Sequence, residues 1–249
     1  MAHTNEQTDN HKAENGLIPQ DSWGADIDIE ESLVQSNLSA IKKNIAPCKP
    51  RIIGVTKYFG ADSIIKGYEA GLRDFGESRV LDSIRKIETL PEYIRQNSAF
   101  HFIGHLQSNK TEKAVEYFDY IHSVDSLKLA RLISEVSERL SKSVKILLQV
   151  NNAEEEQKFG YSKNQLRLDL PEILKLDNVE VIGLMNMAPL GANPEKLKSI
   201  FRDLRLFRDK LEDEFSIKLP ELSMGMSDDY VYAVEEGATM IRVGRKLFS

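Results

Sequence analysis

From residue 28 onward the chain alternates between two hydrophobic rhythms. Short apolar runs of strand length fall at 51–57 "RIIGVTK", 73–76 "RDFG", 100–104 "FHFIG", 118–124 "FDYIHSV", 144–150 "VKILLQV", 179–186 "VEVIGLMN", 221–224 "ELSM" and 239–244 "TMIRVG". Between them apolar residues recur at helical spacing. Leu129, Leu132, Val136 and Leu140 form one stripe, and Leu197, Ile200, Phe201, Leu204, Phe207 and Leu211 another. A further helix is predicted over 28–45, carried by Leu33, Leu38, Ile41 and Ile45. Helix-start signals agree: Asp125 and Ser126 precede one helix, and Asn193 precedes another with Pro194 in its first turn. Eight such units in about 200 residues is the count of a (β/α)8 barrel. An open doubly wound sheet would alternate too, but eight consecutive units favour closure. The expectation is a single α/β TIM barrel over 28–249, after a disordered polar tail over 1–27.

Composition narrows the function. The 249 residues are 41% hydrophobic and 29% charged, an ordinary globular balance. A net charge of −6, with Lys and Arg interleaved among Asp and Glu, argues against a nucleic-acid surface. The single cysteine, Cys48, suits a reducing cytoplasm. No signal-peptide pattern opens the sequence, and no apolar run reaches the roughly 18 residues of a membrane span.

Chemistry-bearing residues gather where the strands end, which in such barrels is the functional face. Lys57 ends the first run, "GESR" (76–79) the second, "GHLQSNK" (104–110) the third, "QVNN" (149–152) the fifth and "MNMAP" (185–189) the sixth. "SMGMSDDY" (223–230) follows the seventh run, and the eighth carries "IRVGRKLF" (241–248). Ser108 and Ser227 read as helix caps, and Asp228 and Asp229 suit a first helical turn. No His, Cys or Glu stands beside the aspartates at metal-ligand spacing, so no metal is expected. His101 reads as a hydrogen-bonded core histidine. Met185, Met187, Met224 and Met226 read as packing or cofactor walls. Lys57 and Arg242 are harder to explain structurally. Closure makes the first and eighth strands neighbours, so two cations would share one mouth and need compensation. Glu77, Asp125 or a bound anion could supply it. Ser223, Gly225 and Gly244 flank a position where barrels hold phosphate through backbone N–H groups. A lysine there, with its pKa lowered by burial or a neighbouring cation, would form an imine.

Taken together, "GVTKYF" (54–59), "DFGESR" (74–79), "FHFIGHLQSNK" (100–110), "KFG" (158–160), "GLM" (183–185), "LSMGMSDDY" (222–230) and "TMIRVGRKLF" (239–248) resemble the pyridoxal phosphate homeostasis proteins. The resemblance implies the fold type III barrel of the alanine racemase N-terminal domain. It implies pyridoxal 5′-phosphate as cofactor, held by Lys57 as an internal aldimine. It implies phosphate contacts from Ser223, Gly244 and the Arg245 backbone amide, Arg242 beside the pyridine nitrogen, and Met224 and Gly225 in the cofactor site. Ser78 departs from the asparagine common in "GEN", which puts any contact from that position in doubt. A guanidinium beside the pyridine nitrogen opposes ring protonation and weakens the electron sink. The sequence stops just after the eighth strand, so the C-terminal β domain of alanine racemase is expected to be lacking.

The function so implied is a non-catalytic, monomeric, cytoplasmic binder that serves vitamin B6 and amino- or keto-acid balance. Apoenzymes that use the cofactor, or a regulatory protein, are its expected partners; nucleic acid and membrane are not. The alternative is an amino-acid racemase or Schiff-base aldolase, for which Tyr58 or Tyr161 would have to serve as the second acid–base group.

Overall fold

The computed structural model describes residues 31–153 and 159–249. The tail expected over 1–27 and Lys158 of "KFG" lie outside the described residues. Strands β1 (Arg51–Val55), β2 (Asp74–Glu77), β3 (Ala99–Phe102), β4 (Tyr120–Val124), β5 (Val144–Gln149), β6 (Val179–Met185), β7 (Glu221–Ser223) and β8 (Met240–Val243) form one closed parallel barrel in sequence order. Closure comes from β1 pairing with β8, which sets Ile53 opposite Arg242. Each strand prediction overlaps its strand to within two residues at either end.

Helices α1 (Glu31–Asn44), α2 (Ala61–Glu69), α3 (Val80–Thr89), α4 (Glu92–Gln96), α5 (Thr111–Tyr117), α6 (Leu127–Arg139), α7 (Lys163–Ile173), α8 (Pro194–Phe215), α9 (Tyr230–Glu235) and α10 (Arg245–Phe248) accompany the barrel. Two predicted helix starts are capped: Ser126 accepts from the Leu129 N–H and Asn193 from the Lys196 N–H. Each satisfies one orphan donor of a first turn.

Alternation along the strands divides the apolar residues into two cores. The larger lies between barrel and helices and takes in Phe75, Phe102, Ile121, Phe201 and Ile241. Burying a side chain of this size stabilises by about 1.5–3 kcal/mol, so this shell dominates stability. All six members of the α8 stripe are buried in or beside it. Two stripes are corrected. On α1 and the residue after it the buried set is Val34, Leu38, Ile41 and Ile45, while Leu33 is 39% exposed. On α6 Leu129 and Val136 are joined by Ala130 and Ile133, and Leu132 and Leu140 are only partly buried. The smaller core fills the barrel: Ile53, Tyr120, Leu147, Ile182, Met185 and Met240. β6 and β7 approach so closely that a Cβ at Gly183 would fall 1.8 Å from the Glu221 carbonyl oxygen. Among the described residues no helix is long and apolar enough to cross a membrane.

Candidate cofactor site

The end of β1 delivers Lys57 to the barrel mouth, half-buried, two residues past the strand. Its Nζ stands 5.0 Å from the centroid of the Tyr58 ring, and Tyr58 is 69% exposed. Thr56, the residue between, is buried and turned the other way. Its Oγ1 donates to Glu77 Oε1 at 2.6 Å. Lys86 on α3 completes that cluster, donating to the Thr56 carbonyl at 2.7 Å and pairing with Glu77 at 2.5 Å. Glu77 is therefore engaged behind the wall. Asp125 faces His105 at 3.5 Å. Neither carboxylate compensates Lys57 and Arg242 as expected.

Arg242, on β8, is 4% exposed and lies inside the barrel. Nη1 donates to Ser223 Oγ at 2.7 Å and Nη2 to the Asn186 carbonyl at 2.8 Å. Burial pushes its guanidinium down to about 10, partly offset by the Asp229 carboxylate, which leaves it charged at neutral pH. Asp229 is thus its nearby counter-charge. Burial raises the Asp229 carboxyl, against the Met226 N–H and Arg242, which favour its ionised form. Asp229 also stands at the N-cap position of α9, and its Oδ1 accepts from the Met226 N–H.

Two loops close the mouth beside Arg242. The loop after β7 turns at Gly225, φ +89°, where a Cβ would come 2.6 Å from that of Ala233. That backbone and that space together demand glycine. Its carbonyl accepts from the Arg242 N–H at 3.0 Å. The loop after β8 is tied to it by the Gly244 N–H, which donates to Ser227 Oγ at 3.3 Å. Ser227 therefore does not cap a helix; its hydroxyl faces the backbone of the neighbouring loop. Nor does Ser108 cap one: it lies within a single turn, Ser108–Lys110, that lacks a side-chain cap. Arg245 and Lys246 open α10, so their N–H groups precede any intrahelical acceptor. The Arg245 side chain is exposed and pairs with Asp228 at 2.9 Å on the rim.

The predicted residues thus fall in four places. Lys57 follows β1, Gly225 follows β7, and Arg242, Gly244 and Arg245 lie on β8 and just after it, all at one mouth. Ser223 faces the barrel interior, where Arg242 and His122 engage its hydroxyl. Met224 is corrected: its side chain is fully buried in the outer shell, as alternation from inward-facing Ser223 requires, and cannot wall a cofactor. Ser78, half-buried after β2, abuts the next loop through its carbonyl, which would meet a Cβ on Gly104 at 2.2 Å. His101 is fully buried and hydrogen-bonded, as expected. Sequence reasoning missed Asn186, Ser227 as a loop tie, and His122. The signal for His122 was a second histidine inside an apolar run. Among the described residues no group of His, Cys, Asp and Glu is placed to hold a metal.

The donors suit one kind of ligand. An amine can capture an aldehyde, a fixed guanidinium can meet a ring nitrogen, and a hydroxyl with backbone N–H groups can hold a phosphate. Pyridoxal phosphate carries all three acceptors, so the residues present fit it.

The comparisons with known proteins agree. The alanine racemase N-terminal domain family matches residues 29–249. The pyridoxal phosphate homeostasis protein of Synechocystis sp. is 44% identical over 202 residues, 81% of this chain and 92% of that protein. Its namesake in Aquifex aeolicus is 38% identical over 198 residues, 80% of this chain and 86% of that one. PipY of Synechococcus elongatus, solved with pyridoxal phosphate bound, matches with a TM-score of 0.79 at 39% identity, covering 87% of this chain and 100% of PipY. Alanine racemase of Clostridium difficile, at 18% identity and a TM-score of 0.71, shares the fold, and the match covers 57% of its length. The chain therefore belongs to the pyridoxal phosphate homeostasis protein family, built on the barrel of the alanine racemase N-terminal domain.

Proposed function

We propose that this chain binds pyridoxal 5′-phosphate on Lys57 and acts as a carrier in vitamin B6 homeostasis, as a cytoplasmic monomer without robust catalysis of its own. The observation that carries this is the tie between Ser227 and Gly244, which sets two glycine loops side by side above the buried Arg242. When bound, the cofactor supplies an aldehyde that amines capture reversibly. Lys57 would hold that carbon. Gly244, the Arg245 N–H and the Ser227 hydroxyl would take the phosphate, with Gly225 letting the loop pass close. Ser223 would act one step back, by fixing Arg242. Arg242 is a donor only, so it offers the ring nitrogen a hydrogen bond and does not protonate it. That arrangement supports holding over carbanion chemistry.

The racemase alternative needs a second acid–base group. Tyr161 is 3% exposed and packed in the outer shell, and burial raises its phenol, which favours the protonated form. Tyr58 lies beside Lys57 itself. The burial of Tyr161 supports the carrier reading.

The test is a visible spectrum before and after borohydride, followed by peptide mapping. A yellow band that vanishes on reduction, with the adduct on Lys57, is expected. A protein that stays colourless with added pyridoxal phosphate overturns the proposal. Carrier action is read as transfer of cofactor to an apoenzyme faster than free diffusion supplies it; transfer no faster than that control rejects it.

A further inference from the structure

A file of polar side chains runs through the barrel from the mouth to the opposite rim. Arg242 Nη1 meets Ser223 Oγ at 2.7 Å, and Ser223 Oγ meets His122 Nδ1 at 2.9 Å. His122 Nε2 meets His101 Nδ1 at 2.9 Å, and His101 Nε2 meets Asp74 Oδ1 at 3.0 Å. Arg51 pairs with Asp74 at 2.9 Å, where a cavity of about 680 Å³ opens on the N-terminal side of the strands. Ser223, His122 and His101 are each at most 1% exposed, while Asp74 is 17% exposed. The file is built by register: His101 is opposite Tyr120, so His122 is the next residue on the same face. The Tyr120 ring stacks on His101 at 4.2 Å and 7°, fixing the imidazole plane.

The ends dictate its direction. Arginine can only donate and a carboxylate can only accept. Each imidazole uses both nitrogens, so a neutral ring must donate through one and accept through the other. Only one assignment connects the ends with neutral rings. Ser223 accepts from Arg242 and donates to His122 Nδ1; His122 Nε2–H donates to His101 Nδ1; His101 Nε2–H donates to Asp74. Burial, with the cations Arg242 and Arg51, keeps His122 well below its ordinary range. Burial also lowers His101, against Asp74 and Asp119, which favour its protonation. Asp74 is favoured as a carboxylate: burial opposes ionisation, but His101 and Arg51 outweigh it.

We infer that Asp74, His101 and His122 are positioning residues, a hydrogen-bond wire polarised from Arg242 to Asp74 that sets, from the far rim, how the guanidinium is held at the mouth. Hydrogen bonds in series polarise one another, and more so in a low-dielectric interior. The negative end at Asp74 is thereby felt at Arg242. Moving every proton one place toward Asp74 would leave the arginine neutral, so the wire is locked in one direction. The effect on a ring beside Arg242 rests on the cofactor reading above; the wire does not.

Two measurements on the full chain separate these. The first uses the cofactor-free protein: side-chain ¹H–¹⁵N NMR of its five histidines between about pH 5.5 and 8.5. His101 and His122, assigned with His101→Gln and His122→Gln, should both be neutral Nε2–H tautomers throughout. An Nδ1–H tautomer at either site, or titration near the ordinary histidine range, overturns the wire. The second titrates the visible band of the pyridoxal phosphate-loaded protein against Asp74→Asn, which keeps the shape and removes the charge. The midpoint should fall by about half a pH unit or more, because losing a negative charge disfavours a cationic centre at the mouth. An unmoved midpoint overturns the coupling, since a purely structural loss would lower only the melting temperature. Should Asp74→Asn not fold, His101→Gln replaces it with the same expected direction. Should the wild type take up no cofactor, the function proposal fails, and the NMR experiment alone decides the wire.

Discussion

The shell outside the barrel wall and the interior inside it are built from alternate residues of the same strands, yet different forces hold them. On β4 Ile121 packs into the shell while Tyr120 and His122 face inward; on β7 Leu222 faces out and Ser223 in, and Met224, just past the strand, faces out; on β8 Ile241 and Val243 face out and Met240 and Arg242 in. The outward set is almost wholly apolar, so its contribution grows with buried area and needs no particular partner. The inward set interleaves a few apolar side chains with hydrogen-bonded polar ones. There, identity matters more than size, because a buried polar atom without its partner costs its full desolvation. The lesson is a division of labour by parity: one face of each strand supplies stability, and the other supplies chemistry.

Breaking the shell should have the largest effect. Phe201→Ala should cost about 3–5 kcal/mol in urea unfolding, while the protein that remains folded still takes up pyridoxal phosphate. A loss below about 1 kcal/mol would move the stabilising role elsewhere. Breaking the interior should cost less stability and more function. His122→Leu leaves an acceptor on His101 unpaired, a loss of about 1–3 kcal/mol, and should disturb the bound cofactor's spectrum where Phe201→Ala does not. If both variants perturb the spectrum alike, the division by parity fails.

Acid sharpens the contrast further. His101 and His122 have pKa values depressed in the fold from 6.5. The unfolded chain therefore binds protons that the folded chain refuses. Their contribution is full above pH 6.5 and is lost as pH falls below it toward the folded values. Wild-type stability should drop as pH falls from about 6.5 to 5, and the double variant His101→Gln, His122→Gln should show a flatter slope. Equal slopes in urea titrations would show that other groups govern acid stability. The smallest stability effect belongs to Lys57→Ala at the open mouth, within about 0.5 kcal/mol. The same change should abolish the borohydride-trapped adduct completely.

Much of the shell was legible because its signal is local. The α8 stripe repeats within one helix, and each of its positions is buried. On α1 the phase was misread by one residue: Val34, Leu38, Ile41 and Ile45 step by four, three and four, whereas Leu33 needs a step of five to Leu38. The barrel followed from counting units. Lys57 and Arg242 stood out because a cation at the end of, or inside, an apolar run is anomalous in itself. The rest of the site did not, because its partners are remote in sequence. Ser227 looks like a cap until Gly244 is seen beside it, 17 residues on. His122 and Ser223 are 101 residues apart. Glu77 finds Lys86 behind the wall, a matter of which side of β2 it leaves. Met224 failed for the same reason, since a step of one along a strand reverses the face.

The pairing of β1 with β8 has a consequence for the protein's birth. Lys57 follows the first strand to be synthesised and Arg242 sits on the eighth, and the ladder that sets Ile53 against Arg242 cannot form until β8 exists. A nascent chain therefore carries Lys57 through most of its translation without the eighth strand that completes the mouth. So ordered, the contact of longest loop closure is also the one that completes the mouth. Competence to hold a ligand there becomes a report that the ring of strands has shut.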